Sequence, residues 1–302
     1  MAIKASGSSL AFSEIRTFWG DANSGTMSLS EYYAGGSNVF SSAVDEAGNS
    51  IPSSGTIKVS DFYSTHTVTT GGTTNFSTAG SDTFSIPLGV STLTVTLYGA
   101  GGQGGEGDES GSGGGGGGGG SGGVVQGTLT ISNNIQGNPS QQTITVNIGE
   151  GGDSSFGREA GTASSIVYNG QTTSAGGGGA GGGFSQVGSA YSAGSAASNS
   201  IGSNFSASTN TAGTAPGSAN AASGDFGSAA GSAGKTLGSN PLSLSSSAGS
   251  GGTLASNAAA TGGNASGVGA GGGGAASIDR TGDHHWFGGH GADGHVRIVV
   301  AS

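Results

Sequence analysis

Apolar residues in this chain fall in short alternating runs set between long tracts that carry almost none, and those runs locate the strands. Residues 83–87 (TFSIP) lead through Leu88-Gly89 into residues 90–98, where Leu93, Val95 and Leu97 share one face and Thr92, Thr94 and Thr96 the other. The same alternation recurs at 124–132, at 143–148 (TITVNI), at 164–168 (SSIVY) and at 295–300 (HVRIVV). Together these runs predict a small β-sandwich with glycine-rich excursions from one end. Ahead of them a nine-residue pattern occurs three times, at 7–15 (GSSLAFSEI), 24–32 (SGTMSLSEY) and 54–62 (SGTIKVSDF). In each copy a glycine turn leads into two apolar residues spaced by two, then Ser and an acid. That order predicts a short strand running into a helical turn, with Ser13, Ser30 and Ser60 as N-caps and the acid in the first turn.

Between the runs at 90–98 and 124–132 lies GAGGQGGEGDESGSGGGGGGGGSGG, residues 99–123. Each glycine costs roughly 0.5–1 kcal/mol against alanine in a regular helix or strand, so such a tract is either disordered or packed backbone on backbone. It sits inside what reads as one sheet, not between domains, which favours packing. Chains without side chains can take the extended polyproline II form, about three residues per turn, and bond sideways through their amides. The fold class is therefore mainly β: a small α+β module over residues 1–70, then, over 71–302, a glycine-rich β-sandwich with polyglycine II-like segments.

Composition sharpens this picture. The chain has 69 glycines in 302 residues, and its 32% hydrophobic content leans on alanine, so large core side chains are scarce. Charge is scarce too, which separates the chain from most disordered proteins. The excess of 17 acids over 7 bases argues against nucleic acid as a partner. Without cysteine, disulfides and thiolate metal sites are excluded. Neither a secretory signal nor an apolar run of membrane-spanning length is apparent, so the expectation is synthesis in a host cytoplasm, no membrane insertion, and release by assembly into a particle.

Two resemblances bear on function. The SGTIKVSDFY and SGTMSLSEYY segments are similar to the N-terminal module that opens many tailed-phage virion proteins. That similarity implies contact with other virion proteins through residues 1–70, with Phe12, Phe18, Trp19, Tyr32, Tyr33, Phe62 and Tyr63 as attachment candidates. Over most of 71–302 the chain resembles the glycine-rich domain of phage tail fibres and adhesins, through Phe84-Ser85-Ile86-Pro87, residues 99–105, residues 145–152 and Gly294-His295-Val296-Arg297-Ile298. The resemblance implies a tail-fibre or tail-tip adhesin in a virion, present in several copies and binding a host surface glycan or outer-membrane protein. The competing reading is a collar, whisker, baseplate or capsid-decoration component that touches no receptor.

Recognition candidates are aromatic and imidazole side chains in polar, glycine-rich surroundings, which offer contact area at little entropic cost. Tyr191, Phe205, Phe226, His284, His285, Trp286, Phe287 and His290 meet that description, with Trp286 and Phe287 the best of the aromatics; each aromatic could instead plug the sandwich, the reading favoured for Phe205 and Phe226. Four of the chain's five histidines lie within 284–295, but H-H-x4-H-x4-H matches no established metal spacing, and no metal or other cofactor is assigned; His295 belongs to the last strand. Residues 229–236 (AAGSAGKT) imitate a phosphate-binding loop without the strand and helix such a loop requires. Acids such as Glu106, Asp108 and Glu109 lie in turns and not in paired positions across a groove, so no catalytic residue is assigned.

Overall fold

The computed structural model describes residues 9–11, 13–15, 28–34, 39, 43–44, 49–62, 66–67, 72–87, 90–107, 115–131, 143–153, 159–182, 195–215, 234, 236–252, 261–275 and 287–300. In chain order its strands are β1 (Ala43–Val44), β2 (His66–Thr67), β3 (Thr73–Phe76), β4 (Gly80–Ser85), β5 (Thr92–Tyr98), β6 (Val124–Thr130), β7 (Thr143–Ile148), β8 (Ser164–Tyr168), β9 (Gln171–Ala175), β10 (Phe205–Thr211), β11 (Ser246–Ser247), β12 (Ser266–Gly267) and β13 (His295–Val300). Two antiparallel sheets form the body, one ordered β10-β6-β5-β13-β3 and the other β4-β7-β8-β9. Alternation puts Leu93, Val95 and Leu97 of β5, Val296 and Ile298 of β13, and Ile144 and Val146 of β7 in one buried cluster between them, with Ile166, Tyr168 and Phe205. The fold is thus a β-sandwich, built where the apolar runs place it.

Three strands of the two large sheets are not legible from apolar alternation: β3, β9 and β10 are rich in Thr, Ser and Asn. The β8–β9 hairpin closes through Asn169 and Gly170, at φ 50° and 73°, the left-handed pair that a two-residue hairpin turn demands. β10 lies at a sheet edge, where one ladder with β6 suffices to hold a polar strand.

The repeated N-terminal pattern gathers at a second cluster, made of Ile15, Tyr32, Val39, Ile51 and Phe62 with Leu10, Ala34 and Ile57 packed against it. Ile15, Tyr32 and Phe62 are the same position in the three copies, and Leu10 and Ile57 match in two. The helical turns form at 13–15, Leu29–Tyr32 and Val59–Phe62. The capping differs from expectation: Ser13, Ser30 and Ser60 lie inside the turns, and Ser28, the N-cap of the second, makes no side-chain cap bond. The acid does that work instead. The backbone N–H of Ala11 donates to Glu14 Oε2 at 2.9 Å and that of Lys58 to Asp61 Oδ2 at 2.8 Å, the back-reaching half of a capping box. Nor are the preceding apolar residues strands: 9–11 and 56–58 join no described sheet, because two alternating positions are too few to hold a ladder alone.

Candidate functional site: the far end of a polyglycine bundle

Strand ends Tyr98, Val124, Thr211 and His295 stand in one cross-strand row, and the glycine-rich stretches leave the sandwich from that rim. Residues 99–105 run through their middle. The N–H groups of Gly99, Gly102 and Gly105 donate to the carbonyls of Gly123, Gly120 and Gly117; those of Ala100 and Gln103 to Thr162 and Glu159; those of Gly101 and Gly104 to Ala292 and Gly289. In each series the donor advances by three while the acceptor retreats by three. A chain that turns its amides to a new neighbour every residue and returns after three has the three-residue period of polyglycine II. Carbonyls of the same stretch accept from Gly178 and Gly181, from Gly272 and Ala275, and from Gly152, so it is bonded on all sides.

Backbone replaces side chain as the packing material. A Cβ added to Gly101 would stand 1.8 Å from the carbonyl oxygen of Ala270, and one on Gly104 2.0 Å from that of Gly273. Only glycine permits this approach. Where side chains occur they find work: Gln103 is 1% exposed and its Oε1 accepts the Glu159 N–H, and Ser121 Oγ meets Thr214 Oγ1 at 3.0 Å. Asn199 ties a returning stretch to the rim, accepting from Gly176 N and donating to the carbonyls of Val124 and Thr211.

The bonding also fixes direction. Residues 99–105, 176–182, 249–252 and 269–275 run away from the rim, since Gly178 and Gly181 meet Ala100 and Gln103 in step, as Gly272 and Ala275 meet Gly102 and Gly105. Residues 115–123, 262–265 and 287–294 run back. At the far end Gly105, Gly117, Gly182, Ala275, Gly116, Gly252 and Gly274 are joined by hydrogen bonds, and Gly262 N–H donates to the Phe287 carbonyl. At about 3.1 Å per residue the stretch 99–105 alone holds this end about 19 Å from the sandwich.

The recognition candidates divide accordingly. Phe287 is half-buried at the far end, and His290 is exposed on the returning stretch, its Nδ1 3.9 Å from Asp153 Oδ2 and its N–H donating to Asn264 Oδ1. Tyr191, His284, His285 and Trp286 lie outside the described residues, in intervals whose flanks include Gly182, Ala275 and Phe287 of this end; Phe226 also lies outside them, in the interval between residues 215 and 234. Phe205 does not belong to it: 6% exposed, it fills the sandwich core, because β10 turns its first side chain inward against β6. Of the attachment candidates, Tyr32 and Phe62 are buried edge to face, centroids 6.4 Å apart, and hold the N-terminal cluster together in place of facing a partner. Tyr33 is half-buried and donates its hydroxyl to the Gly55 carbonyl; Phe12, Phe18, Trp19 and Tyr63 lie outside the described residues.

His295 opens β13, as its place in the final alternating run requires, and stacks edgewise on Tyr98 with centroids 6.3 Å apart. Burial, assisted by the Arg297 charge, lowers its pKa below the ordinary 6.5. Burial raises that of Tyr98, against the opposing pull of its hydrogen bond with Leu242 and the Arg297 charge. That tyrosine donates to Asn240 Oδ1 and accepts from Leu242 N–H, pinning the turn at 240–244 to the rim. Among the described residues no group of three or more His, Asp or Glu is placed to hold a metal ion, and no helix is long and apolar enough to cross a membrane.

Residues 73–301 match the family model of the glycine-rich domain. Covering most of the sequence, the match shows that the chain belongs to this family. Comparison with curated proteins finds no match.

Proposed function

We propose, from the resemblance of residues 1–70 and 71–302 to segments of tailed-phage virion proteins, that the chain is a virion structural protein of a tailed phage, a tail-fibre or tail-tip adhesin that binds the host cell surface. Residues 1–70 seat it on other virion proteins, and residues 71–302 carry contact segments to a surface glycan or outer-membrane protein. The observation that supports this most is the convergence of outgoing and returning polyglycine stretches at one end, away from the sandwich. A scaffold bonded in every direction holds its end residues still, so contact segments anchored there lose less entropy on binding. Several copies on one particle multiply weak contacts into firm attachment. The role is binding, with no reaction, and the acidic balance of the chain points to a specific receptor over a bare anionic surface.

The test is adhesion of the fluorescently labelled full-length chain to a panel of Gram-negative strains that includes the phage's propagating host. Saturable binding to that host, lost when residues 284–287 are replaced by Gly and Ser, is the expected result. Absence of binding to every permissive strain would overturn the adhesin reading in favour of a particle component that meets no receptor.

A further inference from the structure

We infer that a second binding site, for a single pyranose unit of a surface polysaccharide, lies at the base of the bundle where the last returning stretch meets β13. Here a cleft of about 290 Å³ is lined by Ser77, Ser266, Asp293 and His295, by Ala265, Val268 and Ala292, and by the backbone of Gly267, Gly291 and Gly294. At about 30 Å³ per water the space corresponds to roughly ten waters, enough for a sugar ring and near the lower bound of small-ligand pockets.

The chemistry of the lining selects the ligand. Asp293 Oδ1 is held by the Gly151 N–H at 2.9 Å, which fixes the carboxylate and leaves Oδ2 to accept from a ligand hydroxyl. The hydroxyls of Ser77 and Ser266 each offer a donor and an acceptor. His295 is oriented by its contact with Asn75, Nε2 to Oδ1 at 3.3 Å. A ligand that presents several hydroxyls round a compact ring, with C–H faces for Ala265, Val268 and Ala292, satisfies these groups together. A phosphate would meet the Asp293 charge unfavourably, and a purely apolar ligand would strand the polar lining without partners.

The lining comes from three places in the sequence: the β3–β4 connection, the β12 turn, and the entry to β13. Gly267 at φ 86° and Gly269 at φ 59° turn the chain back between residues 262–265 and 269–275 and shape one wall. The inference rests on the adhesin reading only for the biological source of the sugar; the cleft's chemistry is independent of it. It places a glycan contact on the flank of the bundle, in addition to any contact made at the far end.

Saturation-transfer NMR on the full chain with D-glucose, D-galactose, N-acetyl-D-glucosamine and L-rhamnose at millimolar concentration tests the site. At least one sugar should show transfer. Asp293→Asn keeps an acceptor for Gly151 N–H but removes the charge-assisted bond, and should weaken that sugar at least tenfold. Ala265→Leu, which fills the cleft, should abolish it, with circular dichroism of both variants unchanged. No transfer from any of the four sugars, or affinity within twofold of wild type in Asp293→Asn, overturns the site. Cell adhesion run alongside separates the two readings: adhesion without sugar binding removes the cleft alone, and sugar binding without adhesion removes the adhesin role alone.

Discussion

Gly102→Ala is the sharpest test of the polyglycine bundle, because a single methyl must enter a space already filled by main chain. Its Cβ would lie 2.2 Å from the carbonyl oxygen and 2.5 Å from the carbonyl carbon of Gly179. Ordinary contact is near 3.4 Å, so one stretch has to move by about 1 Å, and no flexible side chain is available to yield. Overpacking of that order costs about 1–3 kcal/mol. Movement also disturbs the bonds from Gly102 N–H to Gly120 and from Gly272 N–H to the Gly102 carbonyl, both 2.9 Å, and a buried polar group left without its partner costs about 1–3 kcal/mol more. The entropic gain from replacing glycine is only about 0.4–1 kcal/mol, so the net loss should be about 2–5 kcal/mol. For a domain of 150–250 residues each kcal/mol moves Tm by about 2–4 °C, giving a fall of about 4–20 °C. Gly72→Ala is the control: nothing lies within 4 Å of its added Cβ, and stability should stay within about 0.5 kcal/mol. Thermal unfolding followed by circular dichroism, with amide exchange across residues 99–105, reads both. Equal Tm values for the two variants, with slow exchange preserved in Gly102→Ala, would refute backbone-on-backbone packing as the source of order.

Tyr98→Phe removes the hydroxyl that joins Asn240 and Leu242, and should cost about 1–3 kcal/mol while speeding amide exchange at 242 and 244 more than in the sandwich strands. Asp61→Ala removes the acceptor for the Lys58 N–H; the loss should be about 0.5–2 kcal/mol, confined to exchange in residues 49–62, with β5 to β7 unaffected. His295 gives a pH dependence of definite sign. Its folded pKa is lowered, so the unfolded chain binds the proton more readily, and stability present above the ordinary value of 6.5 is lost as pH falls below it toward the folded pKa. His295→Gln should flatten that part of the Tm–pH curve, and an unchanged slope would remove His295 as its source.

How much of this could be read from the sequence depends on which physics governs each segment. Where a strand buries one face, as in β5, β7 and β13, alternation of Leu, Val and Ile with Thr marks it directly. β10 and β9 escaped because an edge strand of Ser, Thr and Asn is held by its ladder and by bonds such as Asn204 to the Tyr168 carbonyl, and composition does not record those. Asn169-Gly170 between the apolar alternating run 164–168 and the threonine- and serine-rich 171–175 was a hairpin signal available in the sequence. Equivalent positions in the N-terminal repeat share burial at Ile15, Tyr32 and Phe62, a signal present in the repeat that the attachment reading of Tyr32 and Phe62 passed over. The polyglycine neighbours were not legible at all. Nothing local tells Gly101 that it will meet Ala292, since the pairing depends on where each excursion leaves the rim.

That last point explains the division of labour within the domain. In an ordinary core, specificity comes from side-chain shape, and a loop inserted nearby disturbs it. In this bundle, specificity comes from a three-residue register between featureless chains, set at the rim by strand ends and by side-chain ties such as Asn199 and Tyr98. Register set at one end leaves the other end free of sequence requirements beyond the last bonded glycine of each stretch. Exchange of residues 276–286 for an unrelated segment of equal length should therefore leave Tm within about 2 °C, since the bonds of Ala275 to Gly105 and of Gly262 to Phe287 lie on the bundle side of the exchange. A loss comparable to that of Gly102→Ala would mean that the far end also sets the register, and that scaffold and contact segments are not separable.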